Sequence, residues 1–258
     1  MAKFQGLEGK TAWITGGGKG IGRAVAQELA AQGARVLITG RDERALGETI
    51  GEITNGGGKA RHLVADVRSE AAAQACVDKA LDAFGSLDFV VANAGVSGHV
   101  GIDQDLARAR EILEVNVLGT YTTFAVASRV MKGPGRLLAV SSVLGVFGVP
   151  GYAAYCASKA GLLGMVRALA LELAPKQITC NALVPGWVDT DMADQGLAEI
   201  ARATGRSVDE VRAAEARDVP IGRFLAPTEV ADLAAFVLSS AGAGITGQAL
   251  HICGGATA

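Results

Sequence analysis

Short apolar runs of about four to six residues, rich in Val, Ile and Leu, alternate with longer amphipathic stretches along almost the whole chain. The runs Thr11–Thr15, Ala34–Thr39, His62–Ala65, Phe89–Ala92, Arg136–Ser141, Ile178–Leu183 and Ala249–Ile252 predict β-strands. Between them, apolar positions recur at helical spacing around 20–32, 42–53, 69–84, 105–131, 152–174 and 227–238. In the stretch from 152, the repeat runs through Leu162, Leu163, Val166, Leu169, Ala170 and Leu173, and Pro175 ends it. Strands that are apolar throughout, rather than in alternation, are buried on both faces, as in a parallel sheet clothed by helices. Right-handed crossovers then give an α/β fold with a doubly wound parallel sheet of about seven strands and helices on both faces.

One segment breaks the rhythm. Residues 186–220 are rich in alanine and charge and predict a helical stretch near 194–217, between Pro185-Gly186 and Pro220. A segment this long reads either as a lid over a site or as a peripheral packing helix. No repeat, low-complexity tract or linker divides the chain, so one domain over 1–258 is expected.

Composition narrows the functional classes. Half of the 258 residues are apolar, 35 are glycine, and the net charge is −2. No basic field is present to hold nucleic acid or an anionic membrane surface. The start, Met1-Ala2-Lys3-Phe4-Gln5-Gly6, lacks the apolar core of a secretory signal, and no run reaches about 18 apolar residues. Cys76, Cys156, Cys180 and Cys253 show no C-x-x-C spacing, which suits free thiols in a reducing, cytoplasmic setting. His62, His99 and His251 are unclustered and make no metal site.

Two local patterns carry chemistry. The first strand runs into Thr15-Gly16-Gly17-Gly18-Lys19-Gly20-Ile21-Gly22 and then a helix. Glycines there permit a tight turn and close backbone approach to a pyrophosphate, which free N–H groups and the helix dipole stabilise. The spacing, with glycines at 16, 20 and 22, departs from the general G-x-G-x-x-G fingerprint. Farther on, Tyr155 and Lys159 stand one helical turn apart on one face. An ammonium fixed beside a phenol favours phenolate and lowers a pKa of about 10, so such a tyrosine exchanges protons with an alcohol or ketone oxygen near neutral pH.

With these residues in hand, the chain resembles the short-chain dehydrogenase/reductase family from about residue 8 to 255. The motifs stand in the family's order: Thr15–Gly22, Asn93-Ala94-Gly95, Asn116, Ser142, Tyr155 with Lys159, and Pro185-Gly186. The resemblance implies a Rossmann-type fold and a reversible hydride transfer between a nicotinamide cofactor and a ketone or secondary alcohol. In it Tyr155 would be the general acid and base, and Lys159 would lower the tyrosine pKa and hold the nicotinamide ribose. Ser142, thirteen residues before Tyr155, would hydrogen-bond the substrate oxygen, and Asn116 would anchor a water in a relay to the lysine. The same resemblance assigns cofactor contacts to Thr15, Gly16, Lys19, Gly20, Ile21, Gly22, Arg41, Asp66, Val67, Asn93, Gly95, Tyr155, Lys159, Pro185, Gly186, Val188 and Thr190. Ala92 stands where the family often has a second asparagine.

Cofactor choice follows from charge beside the adenosine ribose. An acid after the second strand suits NAD, whereas a 2′-phosphate wants basic groups. Gly40 occupies the position of the family's NAD-selecting aspartate, and Arg41 and Lys19 match its two basic positions. NADP(H) is therefore preferred, with NAD(H) the alternative, and Asp42 is the opposing charge. Tyr152 and Trp187 either border the substrate pocket, beside Ser142 and Tyr155, or pack in the core; His99 either touches substrate or is a plain loop residue. Residues 219–224 and 247–255 look similar to 3-oxoacyl thioester reductases and polyketide ketoreductases, and the lid segment to hydroxybutyrate-type dehydrogenases. The family also implies a homo-oligomer, commonly a tetramer, acting on a small carbonyl or alcohol substrate without nucleic acid or membrane.

Overall fold

The computed structural model describes residues 3–258. Seven parallel strands form one sheet in the order β3-β2-β1-β4-β5-β6-β7. They are β1 (Thr11–Thr15), β2 (Arg35–Gly40), β3 (Lys59–Val64), β4 (Phe89–Ala92), β5 (Gly135–Val140), β6 (Ile178–Pro185) and β7 (Ala249–Ile252). Residues that alternate along each strand leave for opposite faces. Ile14, Ile38, Val91, Leu138 and Leu183 therefore join one core with Val25 and Leu29 of α1 (Gly20–Ala31), Leu46 of α2 (Glu43–Asn55) and Val230 and Ala234 of α9 (Pro227–Leu238). Trp13, Leu37, Val90, Leu137 and Cys180 join a second core on the other face. There they meet Val77 of α3 (Glu70–Phe84), Phe124 of α5 (Gly119–Val130) and Leu162 and Val166 of α6 (Ala153–Leu173). Burial on both faces is why these strands are continuously apolar in sequence.

Three differences from expectation go beyond a residue or two at an element's end. β3 begins at Lys59 rather than His62, because an edge strand exposed at Lys59 and Arg61 tolerates polar residues while its backbone still pairs with β2 from Arg35 to Gly40. The stretch 105–131 is not one helix: α4 (Leu106–Leu113) passes through a π-helical turn, Glu114–Leu118, into α5. The stretch 194–217 is two helices, α7 (Asp191–Thr204) and α8 (Val208–Asp218). Gly205 ends the first in the left-handed conformation (φ +67°), and Ser207 starts the second with a reciprocal cap to Glu210.

The amino ends of β1 and β4 are tied by one carboxylate. Asp88 accepts from the Thr11 main-chain N–H (2.8 Å), Lys10 Nζ (3.0 Å) and Ser86 Oγ (2.8 Å). At the opposite end, the neighbouring strands β1 and β4 send their chains in different directions, and a cleft opens between the loops that leave them. Among the described residues no helix is long and apolar enough to cross a membrane.

Candidate active site

The cleft at that switch point has a volume of about 620 Å³ and is walled by Gly16, Gly18, Lys19, Gly40, Arg41, Asp42, Asp66, Val67, Gly95 and Val96, among others. Its floor is the β1–α1 turn. A Cβ on Gly22 would lie 2.3 Å from the Gly16 carbonyl oxygen and 2.4 Å from Asn93 Nδ2, so only glycine allows this close packing. Asn93 Nδ2 donates to the carbonyls of Thr15 (3.0 Å) and Gly16 (3.2 Å), while Thr15 Oγ1 accepts from the N–H groups of Asn93 and Ala94 (3.1 and 3.0 Å). Thr15 and Asn93 thus brace the turn. Lys19, at the N-cap of α1, offers no side-chain cap. The uncapped helix start and the glycine floor suit the pyrophosphate of a dinucleotide. Ile21 turns its side chain into the core, which leaves only its main chain for the cleft. Thr190 stands against the turn, since a Cβ on Gly20 would lie 3.1 Å from its Cγ2.

At the outer end, two of the predicted cations and acids are already partnered. Lys19 Nζ lies 2.8 Å from Asp42 Oδ2, and Asp42 also caps α2 by accepting from the Ala45 N–H at 3.1 Å. Asp66 lines the cleft, but Arg68 grips its carboxylate (2.5 Å) and holds its pKa down to about 2. Arg41 lines the same wall, and Val67 lies beside it.

The inner end holds the remaining candidates. Gly95 is the junction: a Cβ there would lie 3.2 Å from Asn116 Oδ1 and 3.4 Å from Lys159 Nζ. Asn116 sits on the π-helical turn, buried. Its Oδ1 accepts from Val96 N–H (2.9 Å), and its Nδ2 donates to the Val96 carbonyl (3.0 Å) and to Ser158 Oγ (3.0 Å). It therefore fixes the loop after β4 to α6, using both amide N–H groups and one lone pair of its oxygen. On that turn Val115 and Asn116 are the buried residues.

Tyr155 and Lys159 lie on the buried face of α6, with Lys159 Nζ 5.7 Å from the tyrosine ring centre. Lys159 Nζ donates to the Val140 carbonyl at the end of β5 (2.8 Å). The two serines that follow β5 are used differently. Ser141 Oγ donates to the Lys159 carbonyl (2.8 Å) and is buried. Ser142 Oγ caps the short turn at Val143–Gly145 by accepting from the Leu144 N–H at 3.2 Å, and its hydroxyl draws the Tyr155 pKa downward. The lysine does not lower the tyrosine as expected. Burial pushes the phenol up to about 12, against the opposing pull of Ser142, and pushes the Lys159 ammonium down to about 8. At neutral pH the lysine still holds its proton, and the phenol holds its own.

The remaining candidates surround this centre. Pro185 and Gly186 sit behind it, Pro185 paired with Ile252 of β7 and Gly186 packed against Cys253. Val188 is buried and pairs with Leu225, and Thr190 caps α7. Trp187 packs within the α7–α8 segment. Its indole stacks on Phe224 (centroids 5.1 Å apart, interplanar 6°) and donates to Glu215 at 3.2 Å, inside the packing of α7 and α8. Tyr152 packs beside Tyr155 and donates to Glu199 (3.0 Å), a residue that no motif marks and only its position on α7 reveals. Among the described residues no three His, Cys, Asp or Glu gather to hold a metal.

Topology and side-chain chemistry together place the chain among the oxidoreductases. It belongs to the short-chain dehydrogenase/reductase family: residues 16–257 match the family model described as Enoyl-(Acyl carrier protein) reductase. It is 33% identical to the 3-oxoacyl-[acyl-carrier-protein] reductase of Aquifex aeolicus, covering 96% of this chain and 98% of that one. A putative ketoacyl reductase of Streptomyces coelicolor is 36% identical over 96% and 97% of the two chains. Among solved structures, a variant of actinorhodin polyketide ketoreductase with NADPH superposes with a TM-score of 0.92 at 33% identity, over 98% of each chain.

Proposed function

We propose that this protein is an NADP(H)-dependent reductase of ketones, reversible toward secondary alcohols, with Tyr155 as its proton donor. The observation that carries this reading is the convergence of Ser142, Tyr155 and Lys159 at the inner end of the glycine-floored cleft. When bound, NADP(H) supplies hydride to the carbonyl carbon. Gly16, Gly20, Gly22 and the start of α1 would receive the pyrophosphate, with Lys19 and Arg41 toward the 2′-phosphate. Gly95, Val188, Thr190 and Lys159 would hold the nicotinamide half. A phenol kept neutral by burial is ready to give its proton to the carbonyl oxygen. Ser142 would hydrogen-bond that oxygen as charge builds on it, and Lys159 would oppose the charge left on the tyrosine. Asn116 would hold the loop that shapes this pocket.

The relatives favour a specific carbonyl class, 3-oxoacyl thioesters, since the similar proteins of Aquifex aeolicus and Streptomyces coelicolor are ketoacyl reductases by name. We take residues 186–220 as a lid on one domain, and the chain as a cytoplasmic homotetramer. Leu106, Leu113, Leu118 and Tyr121 around α4 and α5, all exposed, offer an apolar face for that assembly. NADPH oxidation measured with a 3-oxoacyl thioester and with a bulky cyclic ketone tests the reading. Tyr155→Phe is expected to keep NADPH affinity and lose most turnover. Unchanged turnover in that variant would remove the tyrosine from the reaction.

A further inference from the structure

The lid carries one side chain that the ketone chemistry above leaves unused. α7 and α8 pack on each other and on Phe224 through Leu197, Ala201 and Val211, and Arg212 keeps its ion pairs with Asp189 and Asp194 inside the segment. Among the described residues, Glu199 is the one side chain of these two helices that hydrogen-bonds outside residues 186–226. Its Oε2 accepts from Tyr152 Oη at 3.0 Å and from the His99 main-chain N–H at 3.3 Å. The His99 ring meets Tyr152 edge to face, with centroids 5.7 Å apart and planes at 88°. Gly151 leaves room for that ring, since a Cβ there would lie 2.0 Å from His99 Nε2. The loop after β4, the loop before α6 and the lid therefore meet at one carboxylate.

That carboxylate is close to the chemistry. Tyr152 shares an apolar wall with Tyr155, Val100 and Ile112. Burial and Glu199 push the Tyr152 phenol pKa upward, and Tyr155 adds to the rise, so the two phenols lie within electrostatic reach. Among the described residues no Lys or Arg pairs with Glu199. A half-buried carboxylate without a cation repels a second anion, and its spare acceptor sites welcome a hydroxyl or amine.

We propose that Glu199 is a specificity-determining residue that selects ketones lacking an anionic group near the carbonyl, and favours those bearing a hydrogen-bond donor. The proposal rests on the ketone-reduction reading above. Its test uses a cyclic ketone carrying a methyl ester and the same ketone carrying the free carboxylate, with NADPH saturating. The wild type is expected to prefer the ester in kcat/KM. Glu199→Gln keeps an acceptor for Tyr152 and His99 but removes the charge, and should raise the acid-to-ester ratio about tenfold, mainly through KM of the acid. Tyr152→Phe removes the hydrogen bond but keeps the charge, and should leave that ratio within about twofold of wild type. An unchanged ratio in an active Glu199→Gln enzyme overturns the proposal. So does an equal rise in Tyr152→Phe, which would assign the effect to a loosened lid. Wild-type protein that binds NADPH but turns over neither ketone overturns the ketone-reduction reading itself and this inference with it.

Discussion

Replacing Lys159 with Met should stabilise the protein at neutral pH while abolishing its proposed chemistry. Burial lowers the Lys159 pKa from 10.5 to about 8, a displacement of about 2.5. At about 1.4 kcal/mol for each pKa unit, the folded state at pH 7 carries roughly 3 kcal/mol of unfavourable charge burial. Met has nearly the same length and no charge to desolvate, so that penalty disappears. The same change removes the donor to the Val140 carbonyl, which costs about 1 kcal/mol for an unpaired buried oxygen. The net gain is then roughly 2 kcal/mol. Its pH dependence is the sharper test. Below pH 8 both folded and unfolded wild-type chains hold the proton, and the whole penalty is present. Between 8 and 10.5 only the unfolded chain holds it, so wild-type stability rises with pH. The advantage of Lys159→Met should therefore shrink from pH 8 upward and change sign near pH 10. Urea unfolding followed by tryptophan fluorescence at pH 7, 8, 9 and 10, at one protein concentration, measures this. A variant no more stable than wild type at pH 7, or an advantage constant across the series, would refute the buried-charge account.

Other changes separate support from chemistry. Ser141→Ala loses the bond to the Lys159 carbonyl and should cost about 1–2 kcal/mol in urea unfolding with modest loss of turnover, whereas Ser142→Ala loses the cap on Leu144, should cost about 1 kcal/mol, and should lower kcat by about 100-fold. Gly22→Ala forces a Cβ within 2.3 Å of the Gly16 carbonyl oxygen, so NADPH titration should show binding reduced at least about tenfold together with a lower melting temperature. Asp42→Asn frees Lys19 from its ion pair and should lower KM for NADPH several-fold while leaving KM for NADH in place, with the difference fading as salt rises.

Much of this was legible in the chain because the determinants are local. Strands buried on both faces read as unbroken apolar runs, and the Tyr155–Lys159 interval places both side chains on the buried face of α6. The glycine turn announces itself by composition. What escaped depends on partners distant in sequence. Arg68 holds Asp66 and Asp42 holds Lys19, and neither pairing follows from spacing or motif. Trp187 after Pro185-Gly186 reads equally as a pocket or a core residue, and its stacking partner Phe224 stands thirty-seven positions later with no local signal. The Tyr155 pKa was misjudged because helical spacing gives proximity to a lysine but not the burial that acts on both groups. Gly205 could have signalled the break between α7 and α8, since a glycine followed by Ser207 and Glu210 is a stop and a start in succession. Glu199 carries no local signal, for only the fold brings α7 to Tyr152.

The carboxylate of Asp88 gives the sheet two unlike ends. At the amino ends of β1 and β4 it satisfies Thr11, Lys10 and Ser86 at once, while the carboxyl ends of the same strands open onto the glycine turn and Asn93. A single strand of four or five residues thus has one terminus answerable to folding and the other to binding. Damage at the first end should appear as lost protein abundance with normal specific activity, and damage at the second as abundant, inert enzyme. Variation in the substrate loops can accumulate beyond the second end while the first keeps the chain folded, so new substrates can be sampled on an unchanged frame.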